Sequence, residues 1–472
     1  MRIAVFLLLL LTMLRRWDAP RSAVAPRQPS SSSAWIAYSH AATVLICGPD
    51  DAAISDADVK LEADHLPPLT VSTFTYTSIG CRYETDLVVT LVATAGGTGL
   101  EPPRVNITLS HGTFQAAIRI AGLGTTTPMG SRSSIVINGA LVVGSLTIRD
   151  FVFVAESTPL DEPQPGGGAA GNTPQRAIVR VDTGSLGLVT VVGIVCRSLG
   201  CQGVSLKGLT VSERGVRISN CRFDQDEESA ASIARPASPS SSTDDHHAIV
   251  MQDHTGGGIT LEDTTLSASS VLFRNCTFTH SLTFNGVTMA NATIVTLDAV
   301  SVRSYGVTAF YIYSTSIMDL SRLLLQQSLF RVTWSGVTGV SPTEGQGISF
   351  HESLIGKGSS LEIDNVRIET QTFNCGLLFT KTVFNGSLVR LSSVVIIGSG
   401  TQGSASVLLG QSSAFLQSQL IVTNATIERQ ISIFELAASA AILTDGPGSR
   451  IGDIEFSCSI VSPDVRADVV TK

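Results

Sequence analysis

The amino-acid sequence predicts an all-β protein, more specifically a right-handed parallel β-helix with loop insertions. Three observations carry this prediction. The composition suits short strands, a pattern of apolar residues recurs along most of the chain, and polar stretches without periodicity interrupt that pattern.

The composition favours strands and excludes one class of partner. The chain has 472 residues, of which 15% are charged and 6% aromatic, and it contains 42 glycines. Its mean hydropathy is +0.29. β-Branched residues fit a pleated surface and glycine permits tight turns, so short strands are expected. The net charge is −8 and Lys and Arg form no basic patch, so we expect no nucleic-acid partner.

The recurring pattern reads apolar, any, apolar, two breaking residues, apolar, any, apolar. It occurs as LTIRDFVF at 146, VRISNCRF at 216, VLFRNCTF at 271, VTLDAVSV at 295, MDLSRLLL at 318, LEIDNVRI at 361, VRLSSVVI at 389 and LIVTNATI at 420. The copies that start at 271, 295 and 318 follow one another at nearly equal intervals. A weaker copy often precedes a strong one by about half of such an interval, such as ITLEDTTL at 259 and ISFHESLI at 348.

This pattern predicts the coils of a solenoid. Side chains alternate between the two faces of a strand, and two breaking residues turn a corner and reset which face points inward. A strand, a corner and a strand at a near-constant spacing stack into a β-helix. The six-residue signature of left-handed β-helices is absent, so we favour the right-handed, pectin-lyase-like type. The alternative is a string of β-sandwich domains, whose strands also alternate.

The sequence divides into four parts. Residues 1–25 (MRIAVFLLLLLTML, then AVA at 23–25) are interpreted as a signal peptide, with an uncleaved anchor or a misplaced start codon as alternatives. Residues 26–34 are expected to be a disordered linker, and residues 35–130 an N-terminal cap with early coils. Residues 131–472 are expected to form the β-helix, with insertions near 156–175 and 224–247.

The motifs RISNCRF, LFRNCTF and VTNATI, within residues 130–460, resemble the dispersed gene family surface proteins of kinetoplastids, the trypanosomatids and their free-living relatives. The resemblance implies a glycosylated protein, secreted or at the cell surface, that serves adhesion. The chain is shorter than those proteins and ends in DVRADVVTK without their membrane helices. Membrane association is therefore not expected, and the two alternatives are a secreted protein and a truncated gene product. The partners that the resemblance implies are glycans or extracellular matrix and surface proteins.

No residue group predicts a catalytic site, a metal site or a cofactor. The richest cluster is TDDHH at 243–247, with Asp253 and His254 close behind, and it is more simply a solvated loop. His351 and Glu352 share one corner of the pattern and Asp364 lies at another, where polar residues are expected for structural reasons. Two functions remain open. One is a non-catalytic β-helix glycoprotein for adhesion or a surface coat, and the alternative is a carbohydrate-active hydrolase or lyase, which would need paired carboxylates.

The eight cysteines contain no C-x-x-C pair, so a zinc ribbon or a thioredoxin-type site is not expected. Cys196 and Cys201 either close a small loop by a disulfide or remain free thiols. Cys221 and Cys276 hold the same position of the pattern, where a disulfide and a ladder of free thiols fit equally well.

Five sequons predict where glycans attach if the chain is secreted. We expect glycans on Asn106, Asn291 and Asn385, and less often on Asn275 and Asn424. Asn275 and Asn424 occupy a corner of the pattern, where the amide is expected to turn inward and bond the backbone.

Overall fold

The computed structural model describes the strands and corners of the chain from Trp35 onward. The described residues are 35–38, 43–47, 53–54, 57–63, 73–93, 104–122, 128–130, 133–154, 179–197, 203–223, 258–305, 308–333, 346–370, 375–398, 407–410, 413–434, 437–439, 442–445, 450–457, 460–461 and 466–468. The predicted signal peptide and linker, the cluster at 243–247 and the insertions near 156–175 and 224–247 lie outside these residues. Residues 35–472 form one compact unit.

The described part of the chain is a parallel β-helix, as the sequence predicts. Every strand pairing within it is parallel, and each strand pairs with its counterpart one coil later. A full coil has four strand positions, which we call faces A, B, C and D. Parallel pairing is already present between Trp35–Tyr38 and Ala57–Ala63. None of the described residues forms a helix that is long and apolar enough to cross a membrane.

Faces A and B carry the first two strands of each coil. The face A strands are Thr43–Ile46, Thr73–Ile79, Arg104–Ser110, Gly258–Glu262, Leu282–Asn285, Phe310–Tyr313, Ile348–His351, Leu377–Thr380 and Val407–Gly410. The face B strands are Arg82–Tyr83, Thr113–Phe114, Thr265–Ser267, Thr288–Ala290, Ser316–Ile317, Leu354–Ile355, Val383–Asn385, Ala414–Leu416, Ala437–Ser439 and Ile460–Val461.

Faces C and D complete the coil. The face C strands are Trp35–Tyr38, Ala57–Ala63, Leu87–Ala93, Ile118–Ala121, Ser270–Arg274, Ile294–Asp298, Arg322–Gln326, Ser360–Asp364, Leu388–Ser392, Gln419–Thr423, Ile442–Asp445 and Arg466–Asp468. The face D strands are Met129–Gly130, Val152–Val154, Val195–Arg197, Arg222–Phe223, Thr277–Phe278, Ser301–Tyr305, Leu329–Thr333, Arg367–Thr370 and Val395–Gly398. Some strands run through corners: Ser134–Arg149, Val179–Val192 and Gly203–Ser219 span A to C, and Thr426–Phe434 and Arg450–Ser457 span D to A.

The core is built from inward side chains stacked in register from coil to coil. One such row on face C is Ile218, Phe273, Leu297, Leu325, Ile363, Leu391 and Val422. All seven residues are buried. Inward aromatic rings also stack between coils, as Phe223 does on Phe278 with ring centroids 5.8 Å apart. Continuous apolar rows of this kind bury much more surface than one coil could bury alone.

The breaking residues of the pattern are an outward residue followed by a residue in the left-handed region. In VLFRNCTF, Arg274 is exposed, Asn275 has φ 50°, and Cys276 points inward and is buried. A single left-handed residue turns the chain and puts two non-inward positions in succession, which resets the alternation. The same geometry recurs after the face A strands, where Glu352 and Lys381 have φ 50° and 48°.

One of the eight predicted copies is misplaced. MDLSRLLL at 318 would put Leu320 in the core, but Leu320 is 64% exposed with φ 63°, at the corner between faces B and C. The correct segment begins at Leu323, which pairs with Val295 of the preceding coil. The nearly equal interval predicted between 295 and 318 is therefore wrong. Because Leu323, Leu324 and Leu325 are all apolar, the sequence alone does not show which of them point inward.

Candidate functional site

Outward side chains of face A form two rows that cross consecutive coils. One row consists of Arg180, Ser205, Thr260, Thr283, Tyr311, Ser349 and Leu378. The other consists of Asn138, Asp182, Lys207, Glu262, Asn285, Tyr313, His351 and Thr380. Polar, charged and aromatic groups that are far apart in sequence therefore lie side by side on the outward side of face A, where Thr283, Ser349 and Thr380 are buried.

Three of these side chains form a stack of rings, which we call the aromatic platform: Tyr311, Tyr313 and His351. The Tyr311 and Tyr313 rings have centroids 6.1 Å apart and planes 12° apart. Tyr313 and His351 come from adjacent coils, and their rings lie 5.4 Å and 14° apart. Parallel in-register strands bring Tyr313 opposite His351 although a whole coil separates them along the chain. The platform is therefore a product of the solenoid.

A carboxylate and an ammonium group border the platform at the corner that follows face A. The Tyr313 hydroxyl donates a hydrogen bond to Glu352 Oε2 at 2.9 Å. The Lys381 Nζ atom donates to Glu352 Oε1 at 3.1 Å, and His351 Nε2 lies 3.4 Å from the same oxygen. Because Glu352 and Lys381 both occupy left-handed corner positions, their side chains stand beside the platform.

These contacts set the protonation of the site. The hydrogen bonds from Lys381 and Tyr313 lower the pKa of Glu352, so its carboxylate stays ionised. The hydrogen bond to Glu352 raises the pKa of Tyr313. Burial raises the pKa of Tyr311 to about 12, with smaller contributions from Tyr313 and Glu352. Both phenols therefore keep their protons at neutral pH.

The earlier coils of face A carry paired charges. Lys207 Nζ donates to Glu262 Oε1 in the next coil at 2.8 Å, and this hydrogen bond raises the pKa of Lys207. Arg180 donates to Asp182 of the same strand. These carboxylates are each engaged by a cation on the same face. Within the described ranges, no group of three or more His, Cys, Asp or Glu residues could hold a metal ion.

The structure places these polar residues at the corners that the sequence indicates. His351 and Glu352 lie at the corner between faces A and B, and Asp364 ends a face C strand at the corner before face D. Tyr311, Tyr313 and Lys381 were not singled out from the sequence. The available signal was FYIY at 310–313, in which two aromatic residues alternate with two inward ones on a strand.

The sequons lie on the outside of the coils. Asn275, Asn291, Asn385 and Asn424 are exposed, and Asn106 is half-buried in a face A strand. The expectation that corner asparagines turn inward is wrong. The left-handed residue points outward, since the inward position belongs to the residue after it, such as Cys276. The Asn275 amide instead donates to Asn220 Oδ1 of the neighbouring coil at 3.5 Å, which is a long contact.

We therefore expect similar glycan occupancy at Asn275, Asn291, Asn385 and Asn424 in protein from a secreting cell, because exposure no longer separates them. Site-resolved glycopeptide analysis measures this directly. Glycans confined to Asn291 and Asn385 would contradict the expectation and would support the ranking predicted from the sequence.

The cysteines take two forms. Cys47 and Cys81 form a disulfide that joins adjacent coils, a pair that the sequence did not suggest. Cys196 is disulfide-bonded, and its predicted partner Cys201 lies outside the described residues, so that pairing stays a prediction. Cys221 and Cys276 are buried free thiols in adjacent coils. Hydrogen bonding to Cys276 and burial raise the pKa of Cys221 well above its usual value.

No protein-family model matches the chain, and no curated protein matches it. Among solved structures, the chain is similar to the A-module of a mannuronan C-5 epimerase from Azotobacter vinelandii. The two share 10% sequence identity with a TM-score of 0.27, over 83% of this chain and 91% of that chain.

Proposed function

We propose that this protein is a non-catalytic extracellular or cell-surface β-helix glycoprotein that binds a glycan through the aromatic platform, in adhesion or as part of a surface coat. The observation that carries the proposal is the outward stack of Tyr311, Tyr313 and His351 beside the Glu352–Lys381 pair.

The chemistry of the platform fits a sugar. Aromatic rings offer apolar surface to the C–H groups of a pyranose ring, and such rings combine large contact area with a fixed geometry. A few polar groups beside an apolar surface fix the orientation of a ligand. Glu352 can accept hydrogen bonds from sugar hydroxyls, and Lys381 can donate to sugar oxygens. A neutral or weakly charged glycan suits the site, because Glu352 and Lys381 neutralise each other.

The same groups are poorly suited to acid–base catalysis. A general acid needs a raised carboxyl pKa, and that of Glu352 is lowered. A tyrosine that abstracts a proton needs a lowered pKa, and those of Tyr311 and Tyr313 are raised. Glycoside hydrolysis also needs a second carboxylate at a set distance. The lysine and tyrosine hydrogen bonds to Glu352 therefore favour binding over turnover.

The extracellular location is part of the proposal. It is supported by the apolar segment at the N-terminus, by the exposed sequons, and by the Cys47–Cys81 disulfide, a bond that persists mainly in oxidising compartments. The resemblance to kinetoplastid surface proteins points the same way.

The test is binding of the full chain to a panel of neutral and acidic oligosaccharides, with cleavage scored in the same samples. We expect Tyr311→Ala and Tyr313→Ala each to weaken binding about tenfold, since losing a stacked ring costs on the order of 1 kcal/mol or more. Leu324→Ala, an outward and partly exposed side chain on face C, is the matched control and should have no effect.

Two results would contradict the proposal. Unchanged affinity in both tyrosine variants would remove the platform as the binding site. New reducing ends or unsaturated products that disappear in Glu352→Gln would instead support the alternative, a carbohydrate-active enzyme of the same fold.

A further inference from the structure

Face D has a charge distribution opposite to that of the whole protein. In a chain of net charge −8, the face D strands from Val152 to Gly398 contain one acidic residue, Glu369, and no lysine. The arginines of these strands are Arg197, Arg222, Arg303, Arg331 and Arg367. All face away from the core, since they alternate with buried residues. Face D is therefore a cationic surface on an acidic protein.

Three of the arginines lie in consecutive coils. Parallel pairing puts Arg303 opposite Arg331, and Arg331 opposite Glu369. Arg331 Nε donates to Glu369 Oε2, and Arg367 Nε donates to Glu369 Oε1. Burial opposes ionisation of Glu369, but the hydrogen bonds from Arg367 and Arg331 outweigh it and lower the pKa of Glu369. The single carboxylate is thus ionised and shared by two guanidinium groups, each of which binds one of its oxygens.

Arg303 is the one arginine of the three that does not bind Glu369. Its side chain is exposed, and no side chain in the described part of the chain forms an ion pair or a hydrogen bond with it. Arg331 and Arg367 also remain partly exposed, at 38% and 53% of their side-chain surface. In the face D strands of these three coils, three guanidinium groups against one carboxylate leave an excess of two positive charges.

We propose that Arg303, Arg331 and Arg367 form a binding site for sulfate groups of a sulfated polysaccharide, separate from the aromatic platform and independent of it. Arg303 and Arg331 are in register about 4.8 Å apart, and Glu369 continues their row in the next coil. Arg367 lies two positions before Glu369 in the same strand, so a linear polymer that crosses the coils obliquely meets all three arginines. Arg331 and Arg367 donate to Glu369 through Nε, and their partly exposed guanidinium groups carry further N–H donors that a sulfate can use.

Sulfate fits this surface better than other anions do. A sulfate ester is a weakly hydrated oxyanion, and guanidinium is weakly hydrated as well, so their pairing loses little hydration. A polymer with a high density of charge can also overcome the repulsion of an acidic protein. Nucleic acid is the competing polyanion, and duplex DNA is therefore included in the test.

The experiment measures binding of the full chain to heparin by isothermal titration calorimetry at low and at physiological salt. We expect affinity to fall as salt rises and Arg303→Gln to weaken binding about fivefold, since it removes one unpaired charge. Arg217→Gln, which removes an exposed arginine from face C, is the matched control and should change affinity less than twofold. Desulfated heparin should not bind.

Several outcomes would overturn the assignment. These are equal binding of Arg303→Gln and of the unaltered protein, equal binding of desulfated heparin, and equal binding of duplex DNA. Tyr313→Ala should leave heparin binding unchanged, so a parallel loss of heparin and neutral-glycan binding in that variant would show one shared site and overturn the separate one. If Tyr313→Ala loses neutral-glycan binding but keeps heparin binding, the result supports both the platform and the separate arginine site.

Discussion

Replacing Phe273 with Asp is expected to lower the free energy of unfolding by at least about 4 kcal/mol. Phe273 is fully buried, pairs with Ile218 and Leu297 in the adjacent coils, and lies 6.1 Å from the Phe284 ring. The substitution removes a large apolar side chain from a continuous row and places a carboxylate among residues that offer no cation. The loss of packing and the cost of burying a charge therefore both lower the free energy of unfolding.

Leu272→Asp is the matched control, because Leu272 is adjacent in sequence but points outward and is partly exposed. We expect it to cost less than about 1 kcal/mol, as surface substitutions usually do. Urea unfolding followed by circular dichroism measures both variants against the unaltered protein. Equal midpoints for Phe273→Asp and Leu272→Asp would contradict the inward placement of Phe273 and with it the phase of the repeating pattern.

Much of the fold could be predicted because each coil carries its own signal. Alternation fixes which residues point inward, and the two breaking residues mark a left-handed corner such as Asn275. The prediction of which residues point inward fails where apolar and polar residues do not alternate. In RLLLQQ, three leucines in succession permit two phases, and the exposed Leu320 just before them made the wrong one look regular. Local sequence could not resolve this, since only pairing with Val295 fixes the register.

The candidate site was less predictable than the fold for a related reason. His351 and Glu352 looked like ordinary corner residues, because their partners Tyr313 and Lys381 come from other coils. The contact between Tyr313 and His351 depends on how many residues the chain uses to return to face A, and that number varies from coil to coil. The pattern of inward residues does not predict this number of residues per coil. The outward rows become visible only when the register is known.

The arginine surface on face D has the same origin. Arg303, Arg331 and Arg367 lie in three separate strands, with no run of basic residues in the sequence. They become neighbours only through the register of the parallel strands. The acidic composition of the whole chain therefore does not predict this local excess of positive charge.

Gly215, in the long strand Gly203–Ser219, lies where two coils approach each other closely. Gly215 has φ +90°, and a Cβ atom built there would lie 1.8 Å from the carbonyl oxygen of Ser270 in the next coil. Alanine would strain the backbone and force two hydrogen-bonded strands apart, because the obstructing atom belongs to the backbone and cannot rotate away. We expect Gly215→Ala to cost roughly 3 to 5 kcal/mol.

Gly386→Ala separates this clash from backbone strain alone. Gly386 has φ +62°, and the nearest atom to its built Cβ is Lys357 Cγ at 3.3 Å, on a flexible side chain that can move. Alanine there should cost about 1 to 2 kcal/mol, the penalty for a left-handed conformation. Urea unfolding of the two variants gives the comparison. If Gly215→Ala were no more destabilising than Gly386→Ala, the strand containing Gly215 and the strand Ser270–Arg274 would not pack as closely as the structure has them, and the register that aligns Val216 with Val271 would be wrong.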